Sequence, residues 1–274
     1  MTALFRAIAA GVCSLALHAC ALLHALPAVA PGKVQAEIVL FGEVHDNAAQ
    51  HALRRAEFEA MLRSGARPAL LMEQFDRERQ PEIERSRAGS AAPDADQIIR
   101  AGSGAAVTET RGWNWAFYRP LIALALAYDL PIVAANVSRD DARKVFTDGL
   151  AAGGFDSAVP PEITHAQADA IEHGHCGMLD STQALRMAGA QVARDQFMAR
   201  SVEAYAERGV VLLAGNGHVR TDIGVPRWLT PATRLRTVAI GLLEDGDGER
   251  GVYDRVVTTP RQPRADPCAT MVKP

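Results

Sequence analysis

Apolar residues in this chain gather in short unbroken runs, and longer segments with helical spacing separate them. The runs span 37–41, 69–74, 131–136, 209–214 and 236–242, with a further short candidate at 253–258. The helical pattern covers 47–64, 81–88, 94–100, 121–128, 140–148, 164–173 and 181–207. Asn47 and Ser138 are placed to cap two of these helices, since their side-chain oxygens can accept from the free amides of a first turn. In the first helix Leu53, Ala56, Ala60 and Met61 fall on one face, which is expected to be the buried one. Small-residue stretches at 89–92 and 101–106 and a Gly/Pro-rich connection at 153–161 read as loops. Strands that are apolar throughout, alternating with helices, predict a mostly parallel α/β sheet covered on both faces. The helical stretch 139–208 is expected to pack as a subdomain over the carboxyl edge of the strands.

The ends of these runs carry the chemistry. Gly42-Glu43-Val44-His45 follows the first run and Gly215-Asn216-Gly217-His218 follows the fourth. Each reads as a strand that stops at a glycine turn and presents a histidine just beyond. Glu73 and Asn136 close two other runs. Parallel sheets bind ligands at the carboxyl ends of their strands, so Glu43, His45, Glu73, Asn136 and His218 are expected to share one pocket. Histidines and carboxylates that converge in this way can hold a divalent metal or move protons. Arg220, two residues after His218, could bind an anionic group as a planar fork.

Composition narrows the classes. The chain has 274 residues, 48% of them hydrophobic, and a formal net charge of -3. There is no bulk basic field to attract nucleic acid. Residues 7–23 form an apolar segment behind the lone Arg6, as in a secretory signal. Two endings compete for it. Leu17-His18-Ala19-Cys20 matches a bacterial lipobox with an irregular histidine, making Cys20 the lipid-bearing residue; Ala28-Val29-Ala30 is the A-x-A alternative. The lipobox reading places the mature chain on the outer membrane facing the periplasm, and the alternative leaves it soluble in the periplasm. Beyond the leader no apolar run is long enough for a transmembrane span. Cys176 and Cys268 then remain, either paired in an oxidising compartment or free.

Three further groups stand out. His173, His175, Cys176 and Met178 lie within six residues, a soft donor set suited to copper(I) or haem iron, or a loop whose sulfurs merely pack. Trp113, Trp115, Phe117 and Tyr118 concentrate aromatic rings that could wall a flat ligand, or plug the core under a loop. On the long helix Gln191, Arg194 and Asp195 form either a solvated face or a site where Arg194 meets an anion.

Taken together, Phe41-Gly-Glu-Val-His45, the strand ending in Glu73, Trp113-x-Trp-x-x-Tyr118-Arg-Pro, His175-Cys-Gly-Met178, Gln191-x-x-Arg-Asp195 and Ala214-Gly-Asn-Gly-His218-Val-Arg220 resemble the ChaN family of haem-binding lipoproteins. That family sits in a larger group of Tiki, TraB and erythromycin-esterase-like proteins with paired GxxH turns. The likeness runs from about 36 to 243, leaving a signal segment within 1–30 and a tail at 244–274. It implies an iron-regulated outer-membrane lipoprotein in haem and iron uptake, with haem stacked at a homodimer interface, a tyrosine on the iron and an outer-membrane receptor as partner. Carried onto this sequence, Tyr118 is the expected iron ligand, with Tyr205 in reserve. His45, His175, Met178, Arg194, His218 and Arg220 are the expected haem contacts. The wider group implies the alternative of a metal-dependent hydrolase using Glu43, His45, Glu73 and His218. An exported copper module ranks below both.

Overall fold

The computed structural model describes residues 38–89, 92–104, 112–248, 250–266 and 268–269. The leader, Cys20 and the competing cleavage sites lie outside the described residues. Six strands form one sheet: β1 (Ile38–Phe41), β2 (Ala69–Asp76), β3 (Ile132–Asn136), β4 (Val210–Leu213), β5 (Thr237–Glu244) and β6 (Arg255–Thr259). Their order is β3-β2-β4-β1-β5-β6 and every neighbouring pair is parallel. Register sets the site: Phe41 lies beside Leu213, and Leu213 beside Met72. The residues that follow, Glu43, Gly215 and Glu73, therefore emerge side by side at the carboxyl edge.

Alternate residues of each strand enter two cores, as the continuous apolar runs require. Val39, Phe41, Leu70, Met72, Val211 and Leu213 face one layer with Phe58, Leu62, Ile83, Ile98, Ile99 and Leu121. That layer is made by α1 (Ala48–Arg63), α2 (Gln80–Ala88), α3 (Ala95–Ser103) and α4 (Trp115–Ala127). Ile38, Leu40, Leu71, Val210 and Leu212 face the other, against Met198, Ala199 and Val202 of α7 (Ser181–Tyr205). The stretch 139–208 holds α5 (Arg139–Asp148), α6 (Pro161–Gly174) and α7. With 25 residues, α7 is about 37 Å long, far longer than the strands. Its carboxyl end leads into β4, so it runs antiparallel to the sheet. Its amino-terminal half overhangs the carboxyl edge, where Ala184 and Ala188 pack on Ala168 and Ile171 of α6. The chain continues through two short helices, α8 (Asn216–Val219) and α9 (Pro231–Leu235).

Two elements depart from the sequence reading. Helix α4 begins at Trp115, six residues before the expected start, and runs through Pro120. Asn114 caps it by accepting from the Ala116 amide at 3.2 Å, and the carbonyl that Pro120 leaves unpaired belongs to Ala116, which is exposed. In α1, Ala56 and Ala60 are exposed. Leu53 is buried as expected, and the rest of the buried face is Gln50, His51, Arg54, Phe58 and Leu62, whose polar members are buried because of what they bind.

Candidate functional site

The turn after β1 is built around a buried charge. Glu43 is 3% exposed and carries three partners, with His51 close by. The Arg54 guanidinium, itself fully buried, pairs with its carboxylate. The Tyr118 hydroxyl donates to Oε1, and His45 Nδ1 lies 2.6 Å from the same oxygen. His51 Nδ1 stands 4.0 Å from Oε2. Burial pushes the Glu43 carboxyl up, but Arg54 and His45 outweigh it and hold the group at about 2. Glu43 is therefore ionised and can only accept. Tyr118 is the donor, and burial together with Glu43 drives its phenol well above the ordinary value. His51 has its roles fixed in the same way. Its Nδ1 accepts from Arg54 at 2.6 Å, which leaves the Nε2 proton for the His45 carbonyl at 2.9 Å. Burial and Arg54 lower its value to about 4, so it is neutral.

The turn after β4 docks onto this one. The Asn216 amide donates to the Glu43 carbonyl at 3.1 Å. Its side chain exchanges two hydrogen bonds with the Leu242 backbone, at 2.6 and 3.0 Å. A Cβ on Gly42 would overlap Asn216 Oδ1 and lie 2.8 Å from Val219 Cγ2. The Gly215 amide donates to Glu73 Oε2 at 2.7 Å. A Cβ on Gly215 would lie 3.1 Å from His45 Cε1 and 3.3 Å from Nε2. The glycines of the two matching phrases thus let one turn, and the His45 ring, approach the other.

Two histidine–carboxylate pairs result. Glu43 holds His45 by Nδ1, and Asp195 holds His218 by Nδ1 at 2.6 Å. His218 Nε2 stands 3.5 Å from Glu73 Oε1. Asp195 is fully buried and also accepts from Gln167 at 3.0 Å; burial raises it to about 6 against the pull of His218. Both histidines are raised: burial lowers them, but Glu43 outweighs it at His45, and Glu73 with Asp195 outweigh it at His218. His45 is the accessible imidazole, with a side chain 48% exposed against 12% for His218. Each Nδ1 faces its carboxylate, leaving Nε2 as the working atom of either ring.

These groups open onto a cleft of about 1060 Å³ at the carboxyl strand edge, lined by Glu43, His45, Glu73, Asn136, His218, Trp113 and Arg194 among others. That is the size of a large small-molecule site. The expected convergence of Glu43, His45, Glu73, Asn136 and His218 holds. Of the aromatic cluster only Trp113 lines the cleft, edge-on to His45 with ring centres 4.6 Å apart. Phe117 stacks on His51 at 4.3 Å, and Trp115 is core.

Other expected contacts lie elsewhere. Tyr118 has no exposed surface and its hydroxyl is committed to an ionised carboxylate, so it does not present a phenolate to the cleft. Tyr205 ends α7 at the opposite edge of the sheet. His175 caps α6, with Nδ1 2.8 Å from the Ile171 carbonyl, and Met178 follows in the same loop; neither lines the cleft. Arg220 turns to Asp222, at 3.0 and 2.8 Å. Cys176 is bonded to Cys268, which removes the thiolate that the copper reading needed. The proposed divalent-metal set also fails on its donors. Glu43 is taken by Arg54, Tyr118 and His45, and among the described residues no three His, Cys, Asp or Glu groups are arranged to hold an ion. Asp195 and Arg54 were not among the expected site residues. Asp195 lay in the quoted Gln191-x-x-Arg-Asp phrase; Arg54 carried no signal, because a mid-helix arginine ordinarily faces water.

A family model described as "Haem-binding uptake, Tiki superfamily, ChaN" matches residues 33–229. A solved structure titled as cofacial heme binding to ChaN of Campylobacter jejuni superposes with a TM-score of 0.64 at 18% identity, covering 81% of this chain and 87% of that one. An erythromycin esterase mutant, EreC H289N in its open conformation, gives 0.45 at 14% identity, with 79% and 72% covered. The type III effector HopBA1 gives 0.46 at 10%, with 82% and 88% covered. A search of curated proteins returned no match.

Proposed function

The chain belongs to the ChaN family of haem-binding uptake proteins, and from that premise we propose that it binds haem in the cleft at the carboxyl strand edge with His45 as the iron ligand. One observation carries this reading: a half-exposed imidazole, held by Glu43 through Nδ1, presents Nε2 to a cleft large enough for a flat macrocycle. A carboxylate behind a ligating imidazole fixes its tautomer and strengthens it as a donor. Trp113 supplies an aromatic wall beside the ring. Bound haem would supply the iron centre; the residues here bind and orient it.

Purified protein titrated with ferric haem is expected to give a saturable Soret shift that His45→Ala abolishes and Tyr118→Phe preserves. No saturable shift, or one unchanged by His45→Ala, overturns the assignment. The wider role is an exported lipoprotein, lipidated at Cys20, that dimerises around haem and hands it on with an outer-membrane receptor. A Cys176–Cys268 disulfide supports export, since such bonds persist in oxidising compartments. Metabolic labelling with palmitate, lost in Cys20→Ser, checks the anchor; light scattering with and without haem checks the dimer.

A second reading is favoured by the Asp195–His218 pair, which a single axial ligand does not need. Two imidazoles whose Nδ1 atoms are held by carboxylates, one of them with Nε2 3.5 Å from Glu73, suit general acid–base hydrolysis without a metal. Turnover of aryl esters that His218→Asn removes would support it, and absence of turnover across a panel of such esters would count against it.

A further inference from the structure

Three arginines reach the cleft from three different elements. Arg79 lies in the turn after β2, Arg139 opens α5 after β3, and Arg194 stands on α7. They surround Asp76, the last residue of β2, which is half-buried. Burial and the neighbouring Glu78 raise the Asp76 carboxyl, and Arg194, Arg79 and Arg139 all act against that rise.

The other acids nearby are already engaged. Arg77 takes Glu78 at 3.1 Å and Asp141 at 2.8 Å, and Arg143 takes Asp140 at 3.2 Å. Arg194 is steadied by the Gln191 side chain at 3.1 Å. Among the described residues, none of the three cleft arginines lies within ion-pair distance of a carboxylate. Three guanidiniums outside any ion pair thus face one aspartate, and this wall carries more guanidiniums than carboxylates even though Arg77 is shared between two acids.

We propose that Arg79, Arg139 and Arg194 form a clamp for a ligand bearing two carboxylates on one edge, the propionate edge of a porphyrin. The clamp rests on the haem reading and deepens it. Guanidinium forks match carboxylates bidentately and are more weakly hydrated than ammonium groups, so they give up water readily to bind them. The geometry is also divided sensibly. The imidazoles and Glu73 occupy the centre of the strand edge, and the arginines the β2–β3 side. A planar ligand can then present its centre to His45 and its acidic edge to the clamp.

The test separates the clamp from iron ligation by leaving iron out. Wild-type protein is titrated with metal-free protoporphyrin IX and with its dimethyl ester, followed by quenching of tryptophan fluorescence. The diacid is expected to bind about tenfold or more tightly than the diester. Arg79→Gln/Arg139→Gln and Arg194→Gln are each expected to erase most of that preference while leaving diester affinity unchanged. Arg79 and Arg139 are exposed, so the double variant keeps its fold, which an unfolding curve verifies. Equal binding of diacid and diester, or a preference that survives both variants, overturns the clamp and leaves His45 ligation standing. Absence of binding by either porphyrin overturns the clamp, and the haem reading then stands or falls on the ferric haem titration alone. A diacid preference without any haem Soret shift sustains the clamp and removes only the iron assignment.

Discussion

Replacing Glu43 by Gln leaves Arg54 as a buried cation without its counter-charge. Such breakage costs about 3–5 kcal/mol, and chemical denaturation of Glu43→Gln is expected to show a loss of that size. Tyr118→Phe removes one donor to an ionised oxygen and is expected to lose less, about 1.5–3 kcal/mol. The same residues set the acid response. The folded values of His51 and Glu43 lie below their ordinary ones, so in that range the unfolded chain binds more protons and stability falls as pH falls. For His51 the window runs from 6.5 down to about 4, and for Glu43 from 4.5 down to about 2. His45 and His218 are raised and act oppositely, adding stability below pH 6.5 that fades as pH rises through their folded values. The unfolding midpoint is expected to drop between pH 4.5 and 2, and to drop less steeply in Glu43→Gln. Equal slopes in the two proteins would contradict Glu43 as the source.

At the scale of elements, the paired turns act as one unit. Asn216 sits where a Gly42 side chain would be, and links the turn after β4 to both Glu43 and β5. Gly42→Ala forces these apart, and overpacking of this kind costs about 1–3 kcal/mol. Its thermal midpoint is expected to fall and its haem affinity with it. Gly215→Ala should instead spare stability and weaken haem binding, because its Cβ presses only on the His45 ring. Much of this was legible in the chain. Continuous apolar runs gave a sheet buried on both faces, and the rhyming Gly–His phrases gave converging turns, because strand alternation and parallel order are local consequences of pattern. What pattern could not carry was pairing across the fold. Arg54 looks like a solvated helix residue until Glu43 is placed beside it. Tyr118 looks like an available phenol until burial and that same carboxylate hold its proton. Arg79 and Arg139 lie 60 positions apart in sequence, and only the β2–β3 adjacency brings them to one wall.

On the scale of the whole molecule, the tail acts as a strap. After β6 the chain turns back over the first site turn, where Arg264 pairs with Asp46, the neighbour of His45, and with Glu244 at 2.7 Å. Asn47 ties the same loop to Glu244 at 2.7 Å and to the Pro260 carbonyl at 3.0 Å. A few residues on, Cys268 bonds to Cys176 at the α6–α7 connection. The strap therefore joins the β1 turn to the helices that carry Asp195 and Arg194, closing a loop with a sequence separation of 92. Chain-entropy arguments assign a loop of that length about 4–5 kcal/mol of restraint on the unfolded state. Cys176→Ser/Cys268→Ser, or the native protein in excess dithiothreitol, is expected to lose stability on that order in urea. The effect should go beyond stability. The Asp46 pair of Arg264 is exposed and contributes little by itself, so without the disulfide the strap is held by Asn47 and by Arg264 on the buried Glu244, and the His45 turn gains freedom. Haem affinity is then expected to fall in the reduced protein under conditions where it remains folded by circular dichroism. Unchanged haem affinity in folded, reduced protein would make the strap a stabilising staple with no bearing on the site.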